Sequence, residues 1–254
     1  MERKYTAPAV EKMLDLIEVL ADSPGGRSIN ELARLTDSPV NSVYRICTVL
    51  RERGYLSAES ETGLYVLGSR FYRIGQAAGR RISLHTAAAP VLGRLMRETG
   101  ESTQLITLSG NAAVIRLQAE TDQAIRIHAE TCSVILPHCS AGGKCALAYL
   151  PEAELEAFLK APHERLTDHT VTEADALRRE LAAIRADGYA LDREEYMIGL
   201  RCVGAPVFAA DGTCAGGIDV MYPAYRVDAA AEAGFIPLVR RAAEDISRAL
   251  GAAL

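Results

Sequence analysis

SINELARLTDSPVNSVYRICTVLRERG, residues 28–54, reads as two short helices joined by a tight turn. Ser28 stands three residues before Glu31, the spacing at which a hydroxyl accepts from an early backbone N–H while the carboxylate reaches back, and Leu32, Ala33 and Leu35 give this helix its apolar side. It ends near Thr36. In the turn Asp37-Ser38-Pro39, Ser38 is a good N-cap and Pro39 suits the first helical position, where its missing N–H has no intrahelical partner. The second helix runs to Arg53 and stops at Gly54. Val43, Ile46, Cys47 and Leu50 recur at i, i+3, i+4, i+7, which fixes a buried face and turns Asn41, Arg45 and Thr48 outward, with Ser42 and Tyr44 on the flanks. An amide, hydroxyls and a guanidinium are groups that bond base edges and phosphates, and the N-terminal half of a second helix is where a helix-turn-helix enters the major groove. The candidate DNA-binding residues are therefore Ser28, Pro39, Asn41, Ser42, Tyr44, Arg45 and Thr48.

Upstream, Val10, Met13, Leu14, Ile17 and Ala21 mark an amphipathic helix that packs across this pair. Downstream, Tyr55-Leu56, a polar turn over 58–63 and Leu64 to Leu67 read as two strands and a wing. A three-helix bundle that binds nothing is the competing reading, but three ordered signals at helix-turn-helix spacing argue against it. Charge is less one-sided. Residues 1–67 hold eight Lys/Arg against ten Asp/Glu, a net of −2, so DNA contact must rest on local placement rather than on a basic domain. Residues 68–81 add Arg70, Arg73, Arg80 and Arg81 with no acid, which suits either a DNA flank or a solvated helix face. The remaining 173 residues hold sixteen against twenty-three, or −7, an acidic body that limits nonspecific phosphate binding.

At 254 residues, 49% hydrophobic and 24% charged, the chain has ordinary globular composition and room for two domains. It offers no stretch of ~20 apolar residues for a membrane span and no apolar signal-peptide core, so a cytoplasmic location is expected. Cys47, Cys132, Cys139, Cys145, Cys202 and Cys214 include no Cys-x-x-Cys pair, in keeping with a reducing compartment. From Gly68 to about Arg81 a connecting helix carries Phe71, Ile74 and Ala78 on one side, and a helix from Leu84 stops at Gly100. The period then changes to two. Residues 102–108 and 113–118 flank Ser109-Gly110-Asn111, Ile125 and Ile127 alternate with Arg126 and His128, and a hairpin from Arg201 to Met221 turns at Asp211-Gly212. Helices intervene at about 143–150, 152–160 and 173–187, and one closes the chain through Ile236, Val239, Ala243, Ile246 and Leu250. Hairpins with segregated helices predict an α+β domain on a mainly antiparallel sheet.

These residues carry a family likeness. Pro39, Val43-Tyr44-Arg45 and Glu52-Arg53-Gly54-Tyr55 in the reader, then Gly143-Lys144, Leu147-Ala148, Gly188-Tyr189-Ala190, Asp192, Glu194, Glu195, Gly199, Arg201-Cys202 and Ala205 to Phe208, resemble in order and spacing the IclR-type (isocitrate-lyase-regulator) bacterial transcription regulators. The resemblance implies a winged helix-turn-helix over 1–67, a linker helix over 68–81 and a GAF-like effector domain over 82–254. It implies a homodimer or homotetramer on an operator, whose DNA affinity a small catabolic metabolite adjusts. It also implies an effector pocket at Ala141 and Gly142, whose backbone amides meet a ligand carboxylate, with Asp192, Cys202, Asp219 and Met221 around it. Asp219 and Met221 replace common serines and share one strand face, while Ile218 and Val220 face the core. Two carboxylates at one cavity disfavour joint ionisation, so either one is protonated or the ligand brings a cation or hydroxyl donors. Val40-Asn41-Ser42 stands where Lys-Ser-Thr is common, and Asp37 where a turn glycine is common, a place aspartate tolerates better than most residues.

Other chemistry is weakly supported. His138, Cys139, Cys145, Cys202, Asp192 and Asp219 are metal-capable types, but histidine at such a place more often satisfies local backbone and a wall cysteine more often packs as a small hydrophobe. No nucleophile elbow, Ser-His-Asp spacing or P-loop occurs, so neither an enzyme nor a cofactor is expected. A thiol sensor would need an exposed cysteine of low pKa.

Overall fold

A computed structural model describes residues 7–58, 63–79 and 83–253, with side chains omitted over 76–79. The chain divides into two compact units, Met1–Arg81 and Ile82–Leu254.

The first unit is α1 (Pro8–Ala21), α2 (Ile29–Leu35), α3 (Val40–Glu52), β1 (Leu56–Ala58), β2 (Tyr65–Leu67) and α4 (Ser69–Gly79). Ser28 forms the full capping box: its hydroxyl accepts from Glu31 N while the Glu31 carboxylate accepts from Ser28 N. Asp37 adopts φ +44°, the left-handed geometry its side chain tolerates. The turn is shifted by one residue from the sequence expectation. Pro39, not Ser38, is the residue before α3, and the Ser38 hydroxyl donates instead to Thr36 O at 3.1 Å. The expected stripe of α1 is rotated as well: Leu16 and Leu20 are buried and Met13 and Ile17 partly so, whereas Val10, Leu14 and Ala21 are exposed. That helix carries two overlapping apolar stripes, and packing on Leu32, Val43 and Cys47 selects the one through 13, 16, 17 and 20. Leu56↔Leu67 and Ala58↔Tyr65 pair antiparallel as the wing, whose expected turn lies partly outside the described residues. Ala78 and the arginines at 80 and 81 fall outside the described side chains too.

The second unit is built on one antiparallel sheet in the order β5-β4-β3-β8-β7-β6, from β3 (Ser102–Ser109), β4 (Ala112–Ala119), β5 (Val134–Ile135), β6 (Ala190–Arg193), β7 (Leu200–Phe208) and β8 (Cys214–Pro223). Strand alternation splits its side chains between two layers. Leu105, Val203, Ala205, Val207, Ile218, Val220 and Tyr222 meet α5 (Leu84–Thr99) and α9 (Ala229–Ala249) in a dry core. The other face carries α6 (Ala141–Leu147), with α7 (Glu152–Lys160) and α8 (Ala174–Asp187) around it. α6 lies unusually close to the sheet because Gly217 and Gly204 leave room. A Cβ at 217 would sit 2.3 Å from Gly142 O, and one at 204 would sit 3.0 Å from Ala141 C.

One expected strand is absent. Residues 125–128 have no ladder pairing, because side chains take their backbone groups: Arg226 donates to Ile125 O, and Gln118 donates to Ile127 O and accepts from Ala129 N. The alternation of Ile125 and Ile127 instead aims one side of an irregular segment at a cavity. Conversely β5 and β6, two and four residues long, are too short to show a period.

Candidate functional site

In the first unit α3 presents Asn41, Tyr44 and Arg45 to solvent, with Tyr44 57% exposed, because Val43, Cys47 and Leu50 hold the opposite face in the core. These three can reach a nucleic acid without disturbing packing. Ser42 and Thr48 are half-buried, and the Thr48 hydroxyl already donates to Tyr44 O at 2.8 Å. Ser28 is similarly occupied: its hydroxyl donates to Glu31 Oε2 at 2.8 Å. Pro39 is exposed at the start of α3. The seven residues therefore fall into three free side chains at the surface and four that shape or flank the helix.

In the second unit the strand register assembles a polar patch beside α6. Asp192 lies opposite Cys202, Cys202 opposite Met221 and Met221 opposite Ser102; two residues along, Gly204 lies opposite Asp219 and Asp219 opposite Gln104. Residues two apart share a face, so Asp192, Cys202, Met221, Asp219 and Gln104 all point to the α6 side. A cavity of about 400 Å³ opens there. Gln104, Ser140, Asp192, Cys202 and Met221 line its polar part, Ile115, Ile135 and Leu200 its apolar part, and Arg126, His128 and Glu130 come from the irregular segment.

The expected roles of α6 and Asp219 are corrected by this geometry. Ala141, Gly142 and Asp219 do not line the cavity; they lie behind its wall, all fully buried. Gly142 N, read from the sequence as a cradle for a ligand carboxylate, already donates to Asp219 Oδ2 at 3.1 Å. Gln104 Nε2 donates to the same oxygen at 3.3 Å. The protein's own carboxylate thus holds the anion position. Asp219 Oδ1, Gln104 Oε1 and Ser140 Oγ are left buried without a protein partner, and buried polar atoms rarely stay unpaired. Burial pushes the Asp219 carboxyl up to about 7, against the Gly142 and Gln104 amides that favour its charge. Asp192 also rises to about 7 through burial, although Glu195 N donates to its Oδ1 at 2.8 Å. Both carboxyls therefore titrate near neutrality, chiefly because they are buried rather than because they share a cavity.

Three further groups have structural work. Lys144 is fully buried, and its Nζ donates to Glu180 Oε1 at 2.5 Å and to both oxygens of Glu195 at 2.7 and 2.8 Å. Burial alone would lower its pKa, but the two carboxylates more than reverse that and hold the ammonium charged. His138 is buried against His163 and bonds the backbone of Glu164 through Nε2 at 2.9 Å, a partner 26 residues along the chain rather than the local backbone expected of it. Cys139, Cys145 and Cys202 are buried with thiol pKa values raised by burial, the reverse of a reactive thiolate. Among the described residues no group of three or more His, Cys, Asp and Glu is placed to hold a metal ion, and no helix is long and apolar enough to cross a membrane.

Sequence reasoning missed Gln104, Ser140 and Tyr196 at the cavity. A buried glutamine beside Leu105 and Ile106 on β3 is a signal of a polar site, but its partner depends on the β3–β8 register, which sequence does not display.

Comparison with known proteins agrees with this architecture. The profile described as IclR helix-turn-helix domain matches residues 9–60, and that of the bacterial transcriptional regulator IclR C-terminal domain matches residues 76–248. The HTH-type transcriptional regulator BhcR of Paracoccus denitrificans is 36% identical over 240 residues, covering 94% of this chain and 86% of its own length. The HTH-type transcriptional repressor AllR of Klebsiella pneumoniae is 30% identical over 246 residues, covering 96% and 90%. A crystal structure assigned to the IclR transcriptional regulators, from Silicibacter sp. TM1040, superposes with a TM-score of 0.88 at 26% identity over 97% of both chains.

Proposed function

The chain belongs to the IclR family of bacterial DNA-binding transcription regulators, and from that premise we propose that it is a cytoplasmic regulator whose operator affinity is set by a small metabolite bound in the 400 Å³ cavity. The observation that carries the metabolite reading is the set of buried, unpaired oxygens on Gln104, Ser140 and Asp219 at and behind the cavity wall. A pocket of that size, mostly apolar with a few convergent polar groups, is how small-molecule sites are built. In this reading residues 1–67 read DNA, 68–81 connect, and 82–254 sense the ligand. Thermal-shift screening of catabolic intermediates, followed by operator titration with each hit, tests it. A compound that raises the melting temperature and changes operator affinity is the expected result; hits that bind without touching operator affinity would remove the regulatory role.

The DNA site is proposed to be a near-palindrome read by two copies of α3, since one reader covers too few base pairs and two half-sites lie about 34–36 Å apart or a multiple of it. Phe71 and Ile74, on one side of α4, are candidate dimer contacts. Phe71 is committed to an edge-on contact with Tyr55 at 5.2 Å, leaving Ile74, 46% exposed, as the available residue on that side. Arg45→Ala is expected to weaken specific operator binding by roughly 1–3 kcal/mol with thermal stability little changed. Gel-shift titration at fixed salt, with sedimentation to count chains per operator, measures both points. Unchanged affinity, or one chain per site, would contradict the reading.

A further inference from the structure

We infer that the inner end of the cavity takes a hydrogen-bond donor, an ammonium or a hydroxyl, and turns away a free carboxylate. The inference rests on the cavity being the effector site and goes on to its ligand class. Three observations carry it. Asp219 Oδ2 occupies the Gly142 amide, so the donor that a ligand carboxylate would need there is already engaged. Gln104 has spent an amide hydrogen on the same carboxylate, at 3.3 Å, while its Oε1 is buried and unpartnered. Gln104 and Ser140 are 4% and 5% exposed, both line the cavity, and each carries a buried atom that can accept. Asp192 adds a third acceptor, its Oδ1 bonded to Glu195 N and its Oδ2 to the weak thiol donor of Cys202 at 3.7 Å, with the Tyr196 backbone N–H also favouring its charge.

Acceptors therefore outnumber free donors at this end. A ligand N–H or O–H group would satisfy them, whereas a second carboxylate would add like charge beside two buried acids. The basic side chains that line the cavity, Arg126 and His128, are already bonded to Glu120, at 3.1 and 2.5 Å.

Calorimetric titration of the full-length protein near neutral pH decides the matter, with acids of three to six carbons in four series: ω-amino, ω-hydroxy, unsubstituted and dicarboxylic. At least one amino- or hydroxy-ended acid should bind about tenfold or more tightly than the plain acid and the dicarboxylate of equal length. The amino and hydroxy arms separate an ammonium site from a hydroxyl site. Asp219→Ser, which frees the Gly142 amide, should shift preference toward the dicarboxylate, and Gln104→Met should erase the donor preference without adding charge. The second variant keeps the test usable if the first fails to fold. A dicarboxylate that equals or beats its donor-ended counterparts on the natural chain overturns the inference, as does the absence of millimolar binding throughout the donor series. A donor-ended acid that binds as expected yet leaves operator affinity unchanged defeats the regulatory reading and leaves the ligand class standing.

Discussion

Replacing Lys144 with methionine should lower the melting temperature of the second unit by roughly 6–20 °C, the equivalent of about 3–5 kcal/mol. Lys144 springs from α6 and its ammonium has no solvent contact, yet it bonds Glu180 on α8 and Glu195 in the turn that follows β6. Methionine matches the stem in length and flexibility, so packing is nearly preserved. What is lost is the ammonium that opposes the upward push of burial on the Glu195 carboxyl, 5% exposed. Breaking a buried ion cluster from one side leaves the other carboxylates uncompensated, and that residue of charge, more than the lost attraction, sets the size of the effect. Combining Lys144→Met with Glu180→Gln and Glu195→Gln should recover most of the loss, because the buried charge goes with the cation. Differential scanning calorimetry of the single and triple variants is the measurement. A single variant within about 1 kcal/mol of the natural chain would mean that the cluster is hydrated and of the surface kind.

The lysine also illustrates what the sequence made legible. The helix-turn-helix could be read because each of its signals is local: a cap at Ser28, a left-handed turn at Asp37, a heptad-like stripe from Val43 to Leu50 and a stop at Gly54, whose φ is +76°. The hairpin about Asp211-Gly212 and the split of Ile218 and Val220 from Asp219 and Met221 were legible for the same reason, since strand alternation needs no knowledge of the partner. Register is different. Nothing along the chain says that Gln104 faces Asp219 or that Lys144 meets Glu180, residues 115 and 36 positions apart. The cavity depends on such pairings, so Asp192, Cys202 and Met221 come only from the family resemblance, and Gln104 and Ser140 are not among the candidates. Asp219 was placed on the correct strand face, but its bond to Gly142 turned it from a ligand contact into the group that fills the amide position. The failure at residues 125–128 is of the same kind: a period of two is necessary for a strand, and only pairing makes it one.

Asp219→Asn should change how stability depends on pH, in a direction that the burial of residue 219 fixes. In the folded chain the carboxyl keeps its proton until about pH 7, while an unfolded aspartic acid releases it near 3.8. A raised folded pKa means that the native state binds more protons than the unfolded state between those values, so stability is fully present below about 3.8 and is lost as pH rises through about 7. At about 1.4 kcal/mol per pH unit the loss reaches up to about 4 kcal/mol. Asparagine imitates the protonated acid: its oxygen can accept from Gly142 N and Gln104 Nε2, as Asp219 Oδ2 does now, and it never ionises. The two proteins should therefore have similar stability near pH 4, and the asparagine form should pull ahead steadily, with most of its advantage in place by pH 8. Asp192, which also titrates near neutrality, is present in both, and its charge adds to the upward push on Asp219. Urea unfolding of both forms across this range gives the curve directly. A difference that stays flat with pH would mean that Asp219 is ionised with an ordinary pKa, and that solvent or a bound cation reaches the oxygen left here without a partner.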